Sequence, residues 1–458
     1  MLRAWRVVAG RTQVDVAGVL GTSQQHLSQI EQGQRPLSLE QRRKLVIELG
    51  IAAEDLGLSS GCARRLVSSD DASPEIAASR LRWRNERRWL NQHRSELAEL
   101  AVRLYSAEYR LARTPQLANP EWRVAEPMEL GSLALHLDEG PQSVEVNGSE
   151  PESDALRPLR TAGARFERYT SAMKHLSPPA LFEPRPSYRL LDVCLASRRL
   201  EFGLGAYFDK LDVGEALAHE MAAVCMAEGL PGSAESLCGR LPFRELIGDP
   251  FDAGRRAISA GIATLTIRLR RYPAVPSFLL HWRDSTKVAT SGGTYGVIPT
   301  GVFQPSSVAL WDRRNDFDLW RNMVREYSEE LLGEPEHDGS RSQPIDYERW
   351  SLFQRLQTGR ADGSVNAFFL GLGLNSLTLG ATILTVVVID DDVFTEVFGR
   401  VVRFNEEGEI VTVGGGVPAD GVPFTESAVR WMLGTEPMTP SGAACLALAW
   451  QHRDALGL

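Results

Sequence analysis

The distribution of apolar residues gives the chain three textures. Residues 1–60 read as several short helices jointed at Gly10, Gly21, Gly33 and Gly50, since a helix end favours a residue that tolerates positive φ. Pro74 and Glu75 open a helical pattern that runs to about Leu111, with Ile76, Trp83, Leu90, Leu97, Leu104 and Leu111 at heptad intervals. From Pro186 onward strands alternate with helices: YRLLDV, a helix over 213–227, TLTIRL, FLLHW, TYGVIPTGVF, a helix over 317–332, strands within 367–390, and a last helix after Pro440. Residues 367–389 carry no charge and are long enough to cross a bilayer, yet Gly371, Gly373, Asn375, Ser376, Gly380 and the β-branched run TVVVI predict two buried strands about a turn.

The heptad line is narrow, because the complementary positions are Ser79, Glu86 and His93 before Leu100 and Ala107. Two arrangements satisfy it: a parallel coiled-coil dimer, or one long helix docked on its own protein. The first half of this helix carries Arg80, Arg82, Arg84, Arg87, Arg88 and Arg94, a solvated face that beside a DNA-binding module would also reach phosphates. Residues 60–73 read as a connector. Residues 138–158, acidic and rich in Pro, Gly and Ser, read as a flexible loop or domain boundary, and residues 334–344 as an exposed loop.

Length adds that 458 residues make two or three units. A composition of 43% hydrophobic and 24% charged residues excludes disordered and collagen-like classes. The net charge of −9 argues against coating nucleic acid through bulk positive charge, but permits a small DNA-reading module on an acidic body. The 5 cysteines, Cys62, Cys194, Cys225, Cys238 and Cys445, form no CxxC pair, and Arg3 and Arg6 lead into a polar stretch rather than a secretory leader. A cytoplasmic protein without a membrane span is expected.

The run RTQVDVAGVLGTSQQHLSQIEQG over residues 11–33 places Val16, Ala17, Leu20, Leu27 and Ile30 inward on two helices about Gly21, with small Ala17 allowing a close crossing. The Thr-Gln start, the Ala, the turn Gly, the Ser-x-Ile-Glu-x-Gly ending and Pro36 together resemble the helix-turn-helix of the XRE (Cro and phage-repressor-like) family, over about the first 57 residues through EDLGL. The resemblance implies that Gln13 contacts a phosphate, that Gln24 and Gln25 open the base-reading helix, and that Gln29 reaches the next base pair. Ser23 and Arg35 complete the implied DNA-facing set. Glu31 matches a position that helps hold the fold. The module's charges nearly balance, Arg3, Arg6, Arg11, Arg35, Arg42, Arg43 and Lys44 against Asp15, Glu31, Glu40, Glu48, Glu54 and Asp55. A homodimer on a palindromic double-stranded operator is therefore expected.

In RNMVREYSEELLG, residues 321–333, Glu326, Glu329 and Glu330 fall on one helical face behind Arg325. Clustered carboxylates repel, and Mg²⁺ or Mn²⁺ would relieve that repulsion while gripping a diphosphate. The pattern resembles the second half of the Nudix box, with TYGVIPTGVF similar to the strand and glycine turn that enter it. That resemblance covers about residues 186–458 and implies a ligand and metal site at Arg325, Glu326, Glu329 and Glu330. The spacing departs from the box: Gly301 lies too far before Arg325, and strict counting puts Trp311 at the glycine and Phe317 at the glutamate. The intervening loop contains no glutamate, leaving Asp312, Asp316 and Asp318 as substitutes. Three readings follow: a solvated acidic face paired with Arg321 and Arg325, a Nudix-like fold that binds without turnover, or an active hydrolase.

His219 and Glu220 lack the second histidine of a zincin and read as buried or capping, while VGGGV and GVPADGVP near 411–423 read as turns. The expected architecture is multidomain: an all-α helix-turn-helix domain over 1–60, a helical connector and dimerisation segment over 74–135, a linker over 136–185, and an α/β domain (α+β, mixed sheet) of Nudix-like type over 186–458. The expected function is a DNA-binding transcriptional regulator that senses a nucleotide-like ligand. The rival is a Mg²⁺-dependent hydrolase of a nucleoside diphosphate derivative.

Overall fold

The structure, a computed structural model, describes residues 2, 6, 11–31, 35–38, 40–42, 44–45, 73–179, 182–270, 275–283, 293–337, 343–399, 408–410 and 421–458. The expectations for Gly10, Gly33, Gly50, Cys62, the EDLGL ending, most of the 60–73 connector and the turns of 411–420 lie outside these residues. The chain divides into two units, Met1–Arg80 with Leu159–Ala164, and Leu81–Pro158 with Arg165–Leu458.

In the first unit the helices α1 (Gln13–Leu20) and α2 (Gln24–Glu31) form because their ends are chemically marked. Thr12 accepts the Asp15 N–H on its hydroxyl at 3.1 Å, and its own N–H donates to the Asp15 carboxylate at 2.7 Å. Gly21, at φ +62°, ends α1 in the left-handed region. Val16, Ala17, Leu20, Leu27 and Ile30 meet in a small core with Leu2 and Leu45.

The pattern over 74–111 is two helices, α3 (Pro74–Gln92) and α4 (Arg94–Ala101), instead of one. The break is at His93, where φ is −121° and ψ 23°. Its imidazole Nδ1 bonds the Trp89 carbonyl at 2.9 Å and the ring stacks on Trp89 at 4.0 Å, so a side chain has entered the backbone ladder. Ile76, Trp83, Leu90, Leu97 and Leu111 of the heptad line are buried, and Leu104 partly so. Leu90 and Leu97 pack with Ala218, Met221, Ala222 and Cys225 of a later helix. The line is thus docked on its own chain, the second of the two arrangements that the heptad pattern allows.

The second unit is built on a mixed sheet of 11 strands among the described residues. Strands β1 (Gln116–Leu117), β2 (Arg123–Glu129) and β3 (Ala134–Leu137) come first, then β4 (Pro186–Cys194), β5 (Arg199–Ala206), β6 (Ile258–Leu269), β7 (Ser277–Phe278), β8 (Thr300–Val302), β9 (Val365–Asn375), β10 (Ala381–Asp390) and β11 (Val422–Pro423). The spatial order is β1-β9-β10-β6-β4-β5-β3, with β10 and β6 parallel and in register from Ala381↔Ala260 to Asp390↔Leu269. The uncharged stretch is β9 and β10, and no helix among the described residues is long and apolar enough to cross a membrane. Its apolar run is continuous because both faces are covered: Ile383, Val387 and Ile389 enter one core, Leu384, Val386 and Val388 the other.

Apart from Leu159–Ala164, the segment expected as a linker over 136–185 is instead part of this body. Helix α5 (Tyr169–Leu176) buries Tyr169, Ala172 and Met173 completely, and Val146, Leu156 and Phe166 join the same core. The acidic residues that made this segment look like a linker hold its turns: Glu150 accepts the N–H groups of Asn147 and Gly148 at 2.7 and 2.8 Å. Connector strands β1 and β2 likewise pair with β9, so the connector from Leu81 onward, the linker outside Leu159–Ala164 and the α/β region are one unit. Helices α6 (Tyr207–Glu228), α7 (Pro242–Ile247), α8 (Leu319–Leu332) and α9 (Pro440–Gln451) complete what positions the site.

Candidate functional site

The reader surface is organised around Glu31. Arg6 Nε donates to its carboxylate at 2.6 Å and Gln13 Nε2 donates to it at 2.8 Å, while Gln24 Nε2 donates to Gln13 Oε1 at 3.3 Å. This relay fixes Gln13 and Gln24 beside each other at the opening of α2. Leu27 and Ile30 turn inward, which leaves Gln24 and Gln25 exposed and Gln29 half-buried. Ser23 accepts the His26 N–H at 3.2 Å and so caps α2, and Arg35 is exposed beyond it. The Arg6 partner of Glu31 carried no sequence signal.

The second unit holds a cavity of about 950 Å³ that Arg325, Glu326, Glu329 and Glu330 line from α8. Asp318 caps this helix by accepting the Arg321 N–H at 2.9 Å, and Gly333 ends it at φ +64°. Glu330 is buried at 6% exposure and accepts the Thr300 N–H of β8 at 3.2 Å. A Cβ on Gly301 would lie 2.0 Å from Glu326 Oε1, so the side chain of Glu326 rests where only glycine leaves room. A wholly solvated acidic face does not describe this arrangement. Among the described residues, no group of three or more His, Cys, Asp or Glu is arranged so that it could hold a metal ion.

None of the three loop aspartates lines the cavity. Asp316 is fully buried 3.5 Å from Arg325 Nη1 and accepts the Ser306 N–H at 2.7 Å and the Tyr347 hydroxyl at 2.8 Å. Asp312 accepts the Ser307 hydroxyl at 2.5 Å, and burial pushes its carboxyl up. Asp318 is the helix cap. Arg325 itself is buried and donates to the Gln304 carbonyl at 2.7 Å and to Asn322 Oδ1 at 3.0 Å. Phe317, at the strict glutamate position, packs against Tyr188, Phe202 and Phe303, and Trp311 is exposed.

A further wall of the same cavity comes from α6, where Tyr207, Lys210, Leu211, Gly214 and Glu215 share one helical face, and from Arg94, Ser95 and Ala98 of α4. At Gly214 a Cβ would stand 2.9 Å from the Thr378 carbonyl oxygen, which lets the β9–β10 turn approach α6. That turn is held by Arg244, donating to the Ser376 carbonyl at 2.9 Å, and by Arg256, donating to the Leu379 carbonyl at 2.8 Å. Glu220 accepts the Phe243 and Arg244 N–H groups at 2.7 and 2.9 Å at the start of α7.

Glu215 takes two guanidinium groups. Arg94 donates to both of its oxygens at 3.1 and 2.7 Å, and Arg87 to one at 3.1 Å. Burial alone would raise this carboxyl, but Arg94 and Arg87 hold it down at about 2. Arg87 reaches the Tyr169 hydroxyl at 3.2 Å, Tyr169 bonds His219 Nδ1 at 2.8 Å, and His219 Nε2 meets Glu86 at 2.9 Å. Burial depresses the His219 pKa, which favours a neutral ring, and lifts the Tyr169 phenol to about 12. These arginines read as a solvated face in the sequence because their partners on α6 lie far along the chain.

Residues 1–56 match a family model described as a helix-turn-helix domain. No curated protein matches the chain significantly. With α1, Gly21 and α2 in the geometry above, the N-terminal segment is a helix-turn-helix DNA-binding domain.

Proposed function

We propose that this chain is a cytoplasmic, sequence-specific transcriptional regulator of XRE type, acting as a homodimer on a DNA operator, whose Nudix-like body senses a nucleotide-like ligand. The observation that carries the sensing is the convergence of Glu326, Glu329, Glu330 and the glycine strand at Gly301 on one cavity large enough for a nucleotide. The donors are hard carboxylate oxygens, which fit Mg²⁺ or Mn²⁺, and such ions are commonly held by one or two carboxylates plus the ligand's own phosphates. When bound, the ion would neutralise a diphosphate beside Glu326, Glu329 and Glu330. Glu330 anchors to Thr300, and Arg325 holds the helix to the loop before it.

Turnover is absent or very slow in this reading. Hydrolysis needs a positioned base for the attacking water, and Asp312, Asp316 and Asp318 are occupied with Ser307, Arg325 and the α8 cap. The test is calorimetric titration of wild type and Glu330→Gln with ADP-type ligands and Mg²⁺, beside a phosphate-release assay and a thermal screen of nucleotides with and without the ion. Wild type binds in a Mg²⁺-dependent manner, Glu330→Gln binds at least about tenfold more weakly, a loss of roughly 1.4 kcal/mol, and neither releases phosphate. Brisk release abolished by Glu330→Gln would make the hydrolase reading correct, and identical metal-independent behaviour would remove the sensor.

For the reader, Gln24→Ala or Gln25→Ala costs about 1–3 kcal/mol at one base position and relaxes preference there. Because Gln24 is braced by Gln13 and Glu31, Gln13→Ala lowers affinity across sequences with less change in preference. Selection from random DNA separates these effects, and unchanged preferences in the double Gln24/Gln25 variant would unseat the assignment.

A further inference from the structure

The cavity wall formed by α4 and α6 carries an imbalance of charge. Arg87 and Arg94 are both buried and converge on one carboxylate, Glu215. Of the remaining neighbours, burial favours a neutral His219, Tyr169 keeps its proton, and Glu86 bonds His219 Nε2 at 2.9 Å and pairs with Arg82 instead of with Arg87 or Arg94. Arg94 and Glu215 line the cavity, with Lys210 of the same helix on the same wall. The same cluster spans the break at His93, because Arg87 belongs to α3 and Arg94 to the first turn of α4. One carboxylate therefore fastens two helices at their junction.

We infer that Arg94 reads an anionic, phosphate-like group of the cavity's ligand, and that taking this group releases Arg94 from Glu215 and resets the α3–α4 junction. The exchange is balanced in charge. Breaking a buried pair is costly chiefly when it strands a charge; here Glu215 keeps Arg87 and Arg94 gains the anion, so no charge is left alone. A ligand moves an equilibrium only by binding its two states differently, and the shared carboxylate supplies that difference, since Arg94 faces the anion fully in one arrangement and divides itself with Glu215 in the other. The inference rests on the sensor reading above and adds a second recognition point, distinct from the carboxylates of α8.

The test is hydrogen exchange on the full chain with inorganic pyrophosphate and Mg²⁺, against chloride of matched ionic strength. In wild type, peptides covering 87–101 change their exchange rates by roughly fivefold or more, the lower end of coupling between linked sites. Arg94→Gln, in which Arg87 still pairs Glu215, loses the change at 87–101 while keeping any response of α8 peptides, and Arg94→Lys, which keeps the positive charge, restores part of it. A response confined to residues 319–333, or one at 87–101 that survives in Arg94→Gln, overturns the inference while leaving the sensor standing. Silence at both places removes the sensor reading and this inference together.

Discussion

Replacing Glu215 by glutamine lowers the stability of the large unit by about 3–5 kcal/mol, the usual result of removing one partner from a buried ion pair. The carboxylate receives three donor contacts from Arg87 and Arg94 and is 2% exposed. A neutral amide offers one acceptor oxygen and turns its NH₂ towards a guanidinium, leaving two buried cations without an anion. The pH dependence has a definite sign. The carboxyl titrates at about 2 in the folded chain against an ordinary value of 4.5, so its contribution is present above 4.5 and fades as pH falls towards 2. Urea unfolding at neutral pH and at steps down to pH 3 reads both effects: the variant starts lower, and loses less than wild type across that window. An unchanged urea midpoint at neutral pH would mean that the arginines find other partners.

Leu97→Lys is the second large effect, and it separates the two fates of the heptad line. Leu97 is completely buried among Leu90, Ala98, Met221 and Ala222. Lysine there either buries its ammonium or forces α4 from α6, a loss above about 4 kcal/mol in a class where named core lesions dominate. Leu104→Lys, at a partly exposed position packed against the same cluster, costs less. Thermal melts with light scattering distinguish this from a coiled-coil seam, for which the same change would yield a monomer of nearly undiminished stability. That second outcome would return the stripe to an interface.

Much of the architecture was legible wherever periodicity and neighbouring chemistry agree. The helix-turn-helix announces itself because Val16, Ala17, Leu20, Leu27 and Ile30 fall on inward faces and Thr12 and Gly21 mark the ends of α1. The carboxylates of α8 reach one cavity because helical spacing alone sets their common face. The β9–β10 hairpin follows from a charge-free, β-branched run buried on two sides. What escaped detection is non-local. Residues 136–185 read as a linker because few apolar residues, Val146, Leu156 and Phe166, are scattered among acids and glycines, yet these few reach the core. The break at His93 depends on a ring stacked on Trp89, which heptad counting does not register. Glu215 lies 128 and 121 positions from the arginines it gathers, and Asp316, one of the substitutes for the missing box glutamate, is drawn inside by Arg325 and Tyr347.

The way the sheet is edged decides where the chain can be divided. Strands β1 and β2 lie along β9, with Gln116 opposite Asn375 and Glu129 opposite Phe368, and β3 lies along β5 from Ala134 opposite Arg199 to Leu137 opposite Phe202. A fragment beginning at residue 186 would strip those cover strands away and expose rows of unpaired N–H and C=O groups on the apolar β9 and on β5, edges that recruit other chains into aggregates. The polar segment at 138–158 invites a cut that the body would not survive in soluble form. A fragment beginning at residue 74 keeps its cover strands, and with them both the cavity and the arginines of α3 and α4.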